Sequence, residues 1–225
     1  MNKYPTTLAI NTTTRYCSVA LLVGDKEFVA EEYSERGHEG IILSLMDQVF
    51  AESHTTKQDV ELLAFGRGPG AFTGIRVATA TAQGLAFGLN LPVVPVSDLL
   101  NISFQHFKAS EEKTIAACVD ARMDEIYAAI IEWSDHSYEY IKPEALLKPD
   151  DFQCESSLCG VGNGFEVFPQ LIEQLSVDAS NSNYALIPTA LAAAQLARME
   201  FAKGNVVEAG DALPVYLRNE VAWKV

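Results

Sequence analysis

Two short stretches carry the residue types from which a phosphate site could be made. The first is Gly66-Arg67-Gly68-Pro69-Gly70-Ala71-Phe72-Thr73-Gly74, which follows an apolar run over residues 60–65. Its glycines and proline force a tight turn that neither a helix nor a strand accommodates. Thr73 is placed to cap a helix running to about Gly88. Strand, glycine turn and helix start would aim free N–H groups and the positive end of a helix dipole at one point, the usual anion cradle. Gly68, Gly70 and Thr73 are the candidate donors. The second stretch is Asn11-Thr12-Thr13-Thr14, closing the first apolar run of the chain. Asn11 and Thr12 are the candidates there. An asparagine offers an acceptor without charge and so anchors Mg²⁺ poorly; the threonines serve equally well to turn a hairpin.

Neither stretch is a standard nucleotide motif. No lysine follows the last glycine, as a Walker A loop requires, and Gly68, Gly70 and Gly74 lack the dinucleotide spacing. The rest of the sequence adds little catalytic material. There is no G-x-S-x-G elbow. Asp124 and Glu125 are neighbours that a strand would send to opposite faces, and Asp120 and Arg122 read as a structural pair across a turn. Gly160-Val161-Gly162-Asn163-Gly164 reads as a turn.

The elements that must position these residues follow from periodicity. Strands are expected at 6–11, 16–23 and 27–33, then a helix at 38–53, a strand at 62–66, the helix at 73–88, a strand at 93–96 and a helix from Ser97 or Asp98 to about 107. This β-β-β-α-β-α-β-α order is the half-domain of the actin-like superfamily. Residues 109–113 look like a link to a second lobe. That lobe has strands at 114–119 and 125–133, a polar surface loop over 138–152, a short strand at 158–161, a helix to about 175 and an Ala- and Leu-rich helix at 189–202. The lobes are therefore expected at 1–108 and 109–225, with the last helix a candidate to pack back on the first.

The helix at 73–88 stands out because residues 77–91 hold no charged side chain. Gly74, Ala78, Ala82 and Ala86 form one small-residue stripe, and Ala80, Gly84 and Gly88 a second. A helix apolar all round needs cover all round. The helix before it adds Ile41, Ile42, Leu45 and Met46. Together these eight residues, the first stripe included, are expected to form a subunit interface; the alternative is a helix enclosed within one large core.

Composition sets bounds. The 225 residues, 48% hydrophobic and 20% charged, suit a globular protein. A net charge of −14 with 16 Lys and Arg disfavours unaided grip on nucleic acid. No secretory leader or membrane span is apparent, and Cys17, Cys118, Cys154 and Cys159 fit free thiols in a reducing cytoplasm.

The run Gly68-Pro69-Gly70-Ala71-Phe72-Thr73-Gly74-Ile75-Arg76, with Ala82-Gln83-Gly84-Leu85-Ala86 and Pro92-Val93-Val94-Pro95-Val96-Ser97, resembles the hallmark of the TsaB (YeaZ) family. The likeness extends from Leu8-Ala9-Ile10-Asn11-Thr12 through Asp120-Ala121-Arg122-Met123-Asp124-Glu125 to Pro214-Val215-Tyr216-Leu217-Arg218, so it covers essentially the whole chain. It implies an actin-like ATPase, ribonuclease H-like α/β fold with a reduced second lobe. It also implies a non-catalytic cytoplasmic partner of TsaD in placing threonylcarbamoyl on tRNA, with the small ATPase TsaE as a third component. The tRNA would be met only through the complex, the chain alone would be a homodimer, and ATP or ADP would bind only at a complex interface. Asn11 departs from the aspartate usual in the family. The TsaD-type H-x-x-x-H pair after Val96 is replaced by Ser97-Asp98-Leu99-Leu100-Asn101, and none of His38, His54, His106 and His136 supplies it, so no metal and no protease activity are expected. The rival readings are a self-contained kinase or ATPase, a glycoprotease-like metallopeptidase, and a homodimeric scaffold.

Overall fold

The computed structural model describes residues 4–35, 37–135, 137–154 and 158–218. Its strands and helices, in chain order, are β1 (Thr7–Asn11), β2 (Tyr16–Val23), β3 (Lys26–Tyr33), α1 (Ile42–Ser53), β4 (Leu62–Gly66), α2 (Phe72–Leu89), β5 (Val93–Val96), α3 (Asp98–Ser110), β6 (Thr114–Arg122), β7 (Glu125–Ser134), β8 (Ser137–Leu147), β9 (Cys159–Val161), α4 (Gly164–Val167), α5 (Gln170–Gln174) and α6 (Ala190–Ala202). They form two compact units, Met1–Asn101 with Pro188–Pro214, and Ile102–Ile187 with the chain from Val215 on.

The first unit is built on a sheet ordered β3-β2-β1-β4-β5. The first three strands are an antiparallel meander, while β4 and β5 run parallel to β1. β1 and β4 are buried along their full length because both faces are covered. On one face Leu8, Ile10, Val19, Leu21, Leu63 and Phe65 pack against Ile42, Leu45, Met46, Val49 and Phe50 of α1 and Ala78, Ala82 and Ala86 of α2. Their strand neighbours point the other way, as the pleat requires. α6 lies across β1, β2, β4 and β5 and contributes Ala190, Ala193, Ala194 and Ala197, each without exposure. The parallel register sets Ile10 beside Phe65 and Gly66 beside Val96, so β1, β4 and β5 end in one row. Ligands of open α/β sheets usually sit at such a row.

The second unit has a four-stranded sheet ordered β8-β7-β6-β9, antiparallel except for β9 against β6. Ala116, Cys118, Ile126, Ala128 and Ile130 form its core with Phe152, Phe165 and Leu171.

Four local expectations differ from the structure. Residues 137–147 are an edge strand and not a loop: exposure alternates along it, and Pro143 falls where the register with β7 slips between Ala128 and Ile130. Proline is tolerated at such an edge bulge. The first helix starts at Ile42, because His38 lies in a turn whose carbonyl accepts from Ile41 and Ile42 N–H. The helix expected up to residue 175 is two short pieces, α4 and α5, divided at Phe168-Pro169. β6 continues to Arg122, so the hairpin turns at Met123 and Asp124, with Arg122, Met123 and Asp124 at φ of 63°, 58° and 57°.

Candidate functional site

The row of strand ends brings Asn11, Gly66 and Val96 together, and the glycine turn leaves from there. Asn11 is fully buried. Its Nδ2 donates to Asp98 Oδ1 at 2.6 Å, and its Oδ1 accepts from Thr13 N–H and Oγ1 at 3.1 and 2.9 Å. The second Asp98 oxygen accepts from Gly68 N–H at 2.9 Å, and Asp98 N–H donates back to the Gly68 carbonyl at 3.0 Å. Gly68 has φ of +100°, a conformation few side chains allow. Asp98 is 1% exposed. Burial pushes its carboxyl up to about 7, against the pull of hydrogen bonds from Asn11, Thr13 and Gly68 and the nearby charge of Arg67.

The β1–β2 hairpin fills the remaining space. Ala71 N–H donates to the Thr13 carbonyl at 2.7 Å, and Thr12 Oγ1 donates to the Gly74 carbonyl at 2.6 Å. A Cβ added at Gly70 would stand 2.6 Å from the Thr13 carbonyl oxygen, and one at Gly74 would overlap that of Thr12. The close approach of two backbones is therefore why these positions are glycine. Thr73 is exposed and does not cap α2, which begins one residue earlier with Ala71 in the cap position and no side-chain cap. The structure thus gathers Asn11, Thr12, Gly68 and Gly70, commits the Asn11 amide and Gly68 N–H to Asp98 and the Thr12 hydroxyl to the Gly74 carbonyl, and leaves Thr73 outside. Asp98 is the residue that sequence reasoning missed. It was visible only as one of two cap candidates, and Ser97 takes that role, its Oγ accepting from Leu100 N–H.

Other candidate groups are committed to structure. Asp120 pairs with Arg122 at 2.9 Å, and Arg218 binds Glu125 at 2.6 Å and the Ala121 carbonyl at 3.1 Å. Burial pushes the Cys17 thiol up to about 12 and that of Cys159 to about 11, far from thiolate reactivity. Among the described residues no three His, Cys, Asp or Glu side chains converge as a metal centre. His136 lies outside the described residues. No helix among the described residues is long and apolar enough to cross a membrane.

The expected interface needs correction. Gly74, Ala78, Ala82 and Ala86 are buried within the chain's own first unit against β1 and β4, and Ile42, Leu45 and Met46 of α1 are buried there over β2 and β3; Ile41 is half-buried. One sheet face and the neighbouring helix are enough to cover them. The second stripe faces outward: Ala80, Gly84 and Gly88 are exposed, and a Cβ added at either glycine meets nothing within 4 Å. Phe87, one turn from both Gly84 and Ala80's continuation on the same side, is 85% exposed, and Leu43 of α1 is 58% exposed. At the start of α2, Arg76 lies 3.6 Å over the half-exposed ring of Phe72.

The sequence model of a family described as "TsaD: tRNA N6-adenosine threonylcarbamoyltransferase" matches residues 29–215. A Haemophilus influenzae protein named tRNA threonylcarbamoyladenosine biosynthesis protein TsaB is 36% identical, over 97% of this chain and 96% of that relative. The Escherichia coli protein of the same name is 35% identical, over 96% of each. This chain belongs to the TsaB family. Two solved structures from Pseudomonas aeruginosa, each 34% identical over 95% of this chain and 100% of theirs, agree with the fold. One is described as YeaZ, with a TM-score of 0.87; the other is described as an uncharacterized protein with similarity to peptidase YeaZ, with a TM-score of 0.88. The TsaB-family chain accordingly has the actin-like, ribonuclease H-like α/β fold, and its first unit shows the strand order of that fold.

Proposed function

We propose that this chain is a non-catalytic subunit of the machinery that places threonylcarbamoyl on tRNA, and that it works by docking on the transferase TsaD. The observation that carries the docking role is the outer face of α2: Ala80, Gly84 and Gly88, with Phe87 standing 85% exposed beside them. Glycine inside a helix costs about 1 kcal/mol relative to alanine, and nothing among the described residues needs either glycine small. Small residues let a second helix approach closely, and an exposed ring on a face without charge beyond Arg76 suits a buried contact. The relatives' names supply the pathway and favour neither a kinase nor a metallopeptidase.

The same face serves the homodimer of the chain alone, so self-pairing and TsaD-pairing compete. TsaE joins through the complex. An acidic chain with net charge −14 meets tRNA only through its partners. It holds no nucleotide by itself, because Asp98 already takes Gly68 N–H and the Asn11 amide; ATP or ADP belongs to a complex interface.

The test is a pair of substitutions. Gly84→Arg points into open space and should leave the monomer folded while abolishing both dimerisation on a sizing column and co-purification with TsaD. Ala82→Arg, placed in the core, should unfold the first unit and so says nothing about partners. A folded Gly84→Arg protein that still binds TsaD with native affinity would remove α2 from the interface.

A further inference from the structure

The turn between β4 and α2 has the design of an anion site, yet a carboxyl group already fills it. Asp98 reaches in from the start of α3, 1% exposed, and receives Gly68 N–H on one oxygen and the Asn11 amide on the other. Thr13 hydroxyl and N–H are held alongside by the Asn11 carbonyl oxygen. We propose that Asp98 is the resident anion of this turn, and that its carboxylate is what shuts small oxyanions out of it.

Three observations meet in this assignment. The donors are those an oxyanion would use, a backbone N–H beside a positive-φ glycine and a side-chain amide. The groups facing the carboxylate are neutral donors from β1, the β1–β2 hairpin and β4's turn, with Arg67 as the nearby cation; no second carboxylate is among them. Asn11 fits this arrangement, because an aspartate there would set two carboxylates 2.6 Å apart, and one would have to carry a proton. An asparagine at the end of β1 is thus the complement of an aspartate at the start of α3. The assignment holds whether or not the chain docks on TsaD.

Removing the carboxylate should create a site where none exists. Asp98→Ala vacates the space of the carboxylate while Gly68 N–H and the Asn11 amide remain as donors. Formate, the size of the missing group, should bind there. Scanning thermal unfolding of the full chain with increasing sodium formate should raise Tm of Asp98→Ala by about 2–4 °C once formate exceeds its Kd several-fold. Wild type, and Asp98→Asn with the space filled, should show no such rise. Inorganic phosphate, run in parallel, tells whether the vacated space admits the larger oxyanion; a rise with phosphate alone also supports an anion site. A folded Asp98→Ala that responds to neither salt overturns the proposal, and so does an equal response in wild type. Should Asp98→Ala fail to fold, the Gly68 amide proton provides the test. It should lie downfield in wild type above pH 7 and move upfield in Asp98→Asn, and an unchanged shift would end the assignment.

Discussion

At the scale of single residues, the central group is a carboxyl buried among donors. The folded chain holds the Asp98 proton up to about 7, whereas an unfolded carboxyl releases it near 3.8. Between those values the folded state carries more protons, so unfolding free energy falls as pH rises through the window. The full effect is on the order of 4 kcal/mol, from about 1.4 kcal/mol per unit. His106 acts in the opposite direction: burial lowers its pKa below the ordinary 6.5, so it costs stability as pH falls. The clean measurement is therefore the difference between wild type and Asp98→Asn in urea titrations at pH 4 to 8. Expected is a shallower loss in the variant; parallel curves would show that Asp98 stays ionised throughout. Asn11 could be found from sequence because it ends the first apolar run of the chain. Its partner could not, since Asn11 and Asp98 lie 87 residues apart and meet only because β1, β4 and β5 align in register.

At the scale of elements, α2 carries two small-residue stripes with opposite duties. Sequence showed both and could not say which faced the sheet, because an uncharged helix has a weak sense of direction. The structure separates them, and two glycines one helix apart give opposite expectations. Gly74→Ala drives a methyl into the Thr12 carbonyl and should destabilise by several kcal/mol, as overpacking and backbone displacement require. Gly88→Ala meets nothing and should stabilise the monomer by about 0.5–1 kcal/mol. Chemical denaturation of the two variants checks both signs at once. β8 was illegible for a different reason. Its charged and proline residues read as a loop, and only pairing with β7, bulge included, makes an edge strand of them.

At the scale of the whole molecule, the chain returns to its first unit after building most of the second. α6 seals the sheet, and Arg198 fastens it: its guanidinium donates to the carbonyls of Pro5, Leu22 and Gly24 and to Thr7 Oγ1. Losing those bonds while the carbonyls stay half-buried should cost about 1–3 kcal/mol, so Arg198→Met should lower the urea midpoint without changing oligomeric state. Past α6, Val207 pairs with Val93 on the edge of β5, and Gln83 of α2 donates to the Ala212 carbonyl. Local pattern showed α6 as a strong helix, but nothing local identifies the sheet it must cover.

That return has a consequence for biosynthesis. A nascent chain that has just made α2 and β5 possesses the five strands of the first sheet but only one of its two covers. Ala9, Ala20, Leu62 and Ala64, all without exposure in the finished fold, must wait for α6. At about 5–20 residues per second, the intervening hundred or so residues take about 5–20 s to emerge. Throughout that interval a bare β surface is open to non-native pairing or to a holding chaperone. Chains stalled after β5 should therefore co-purify with such a chaperone, and chains stalled well past α6 should not.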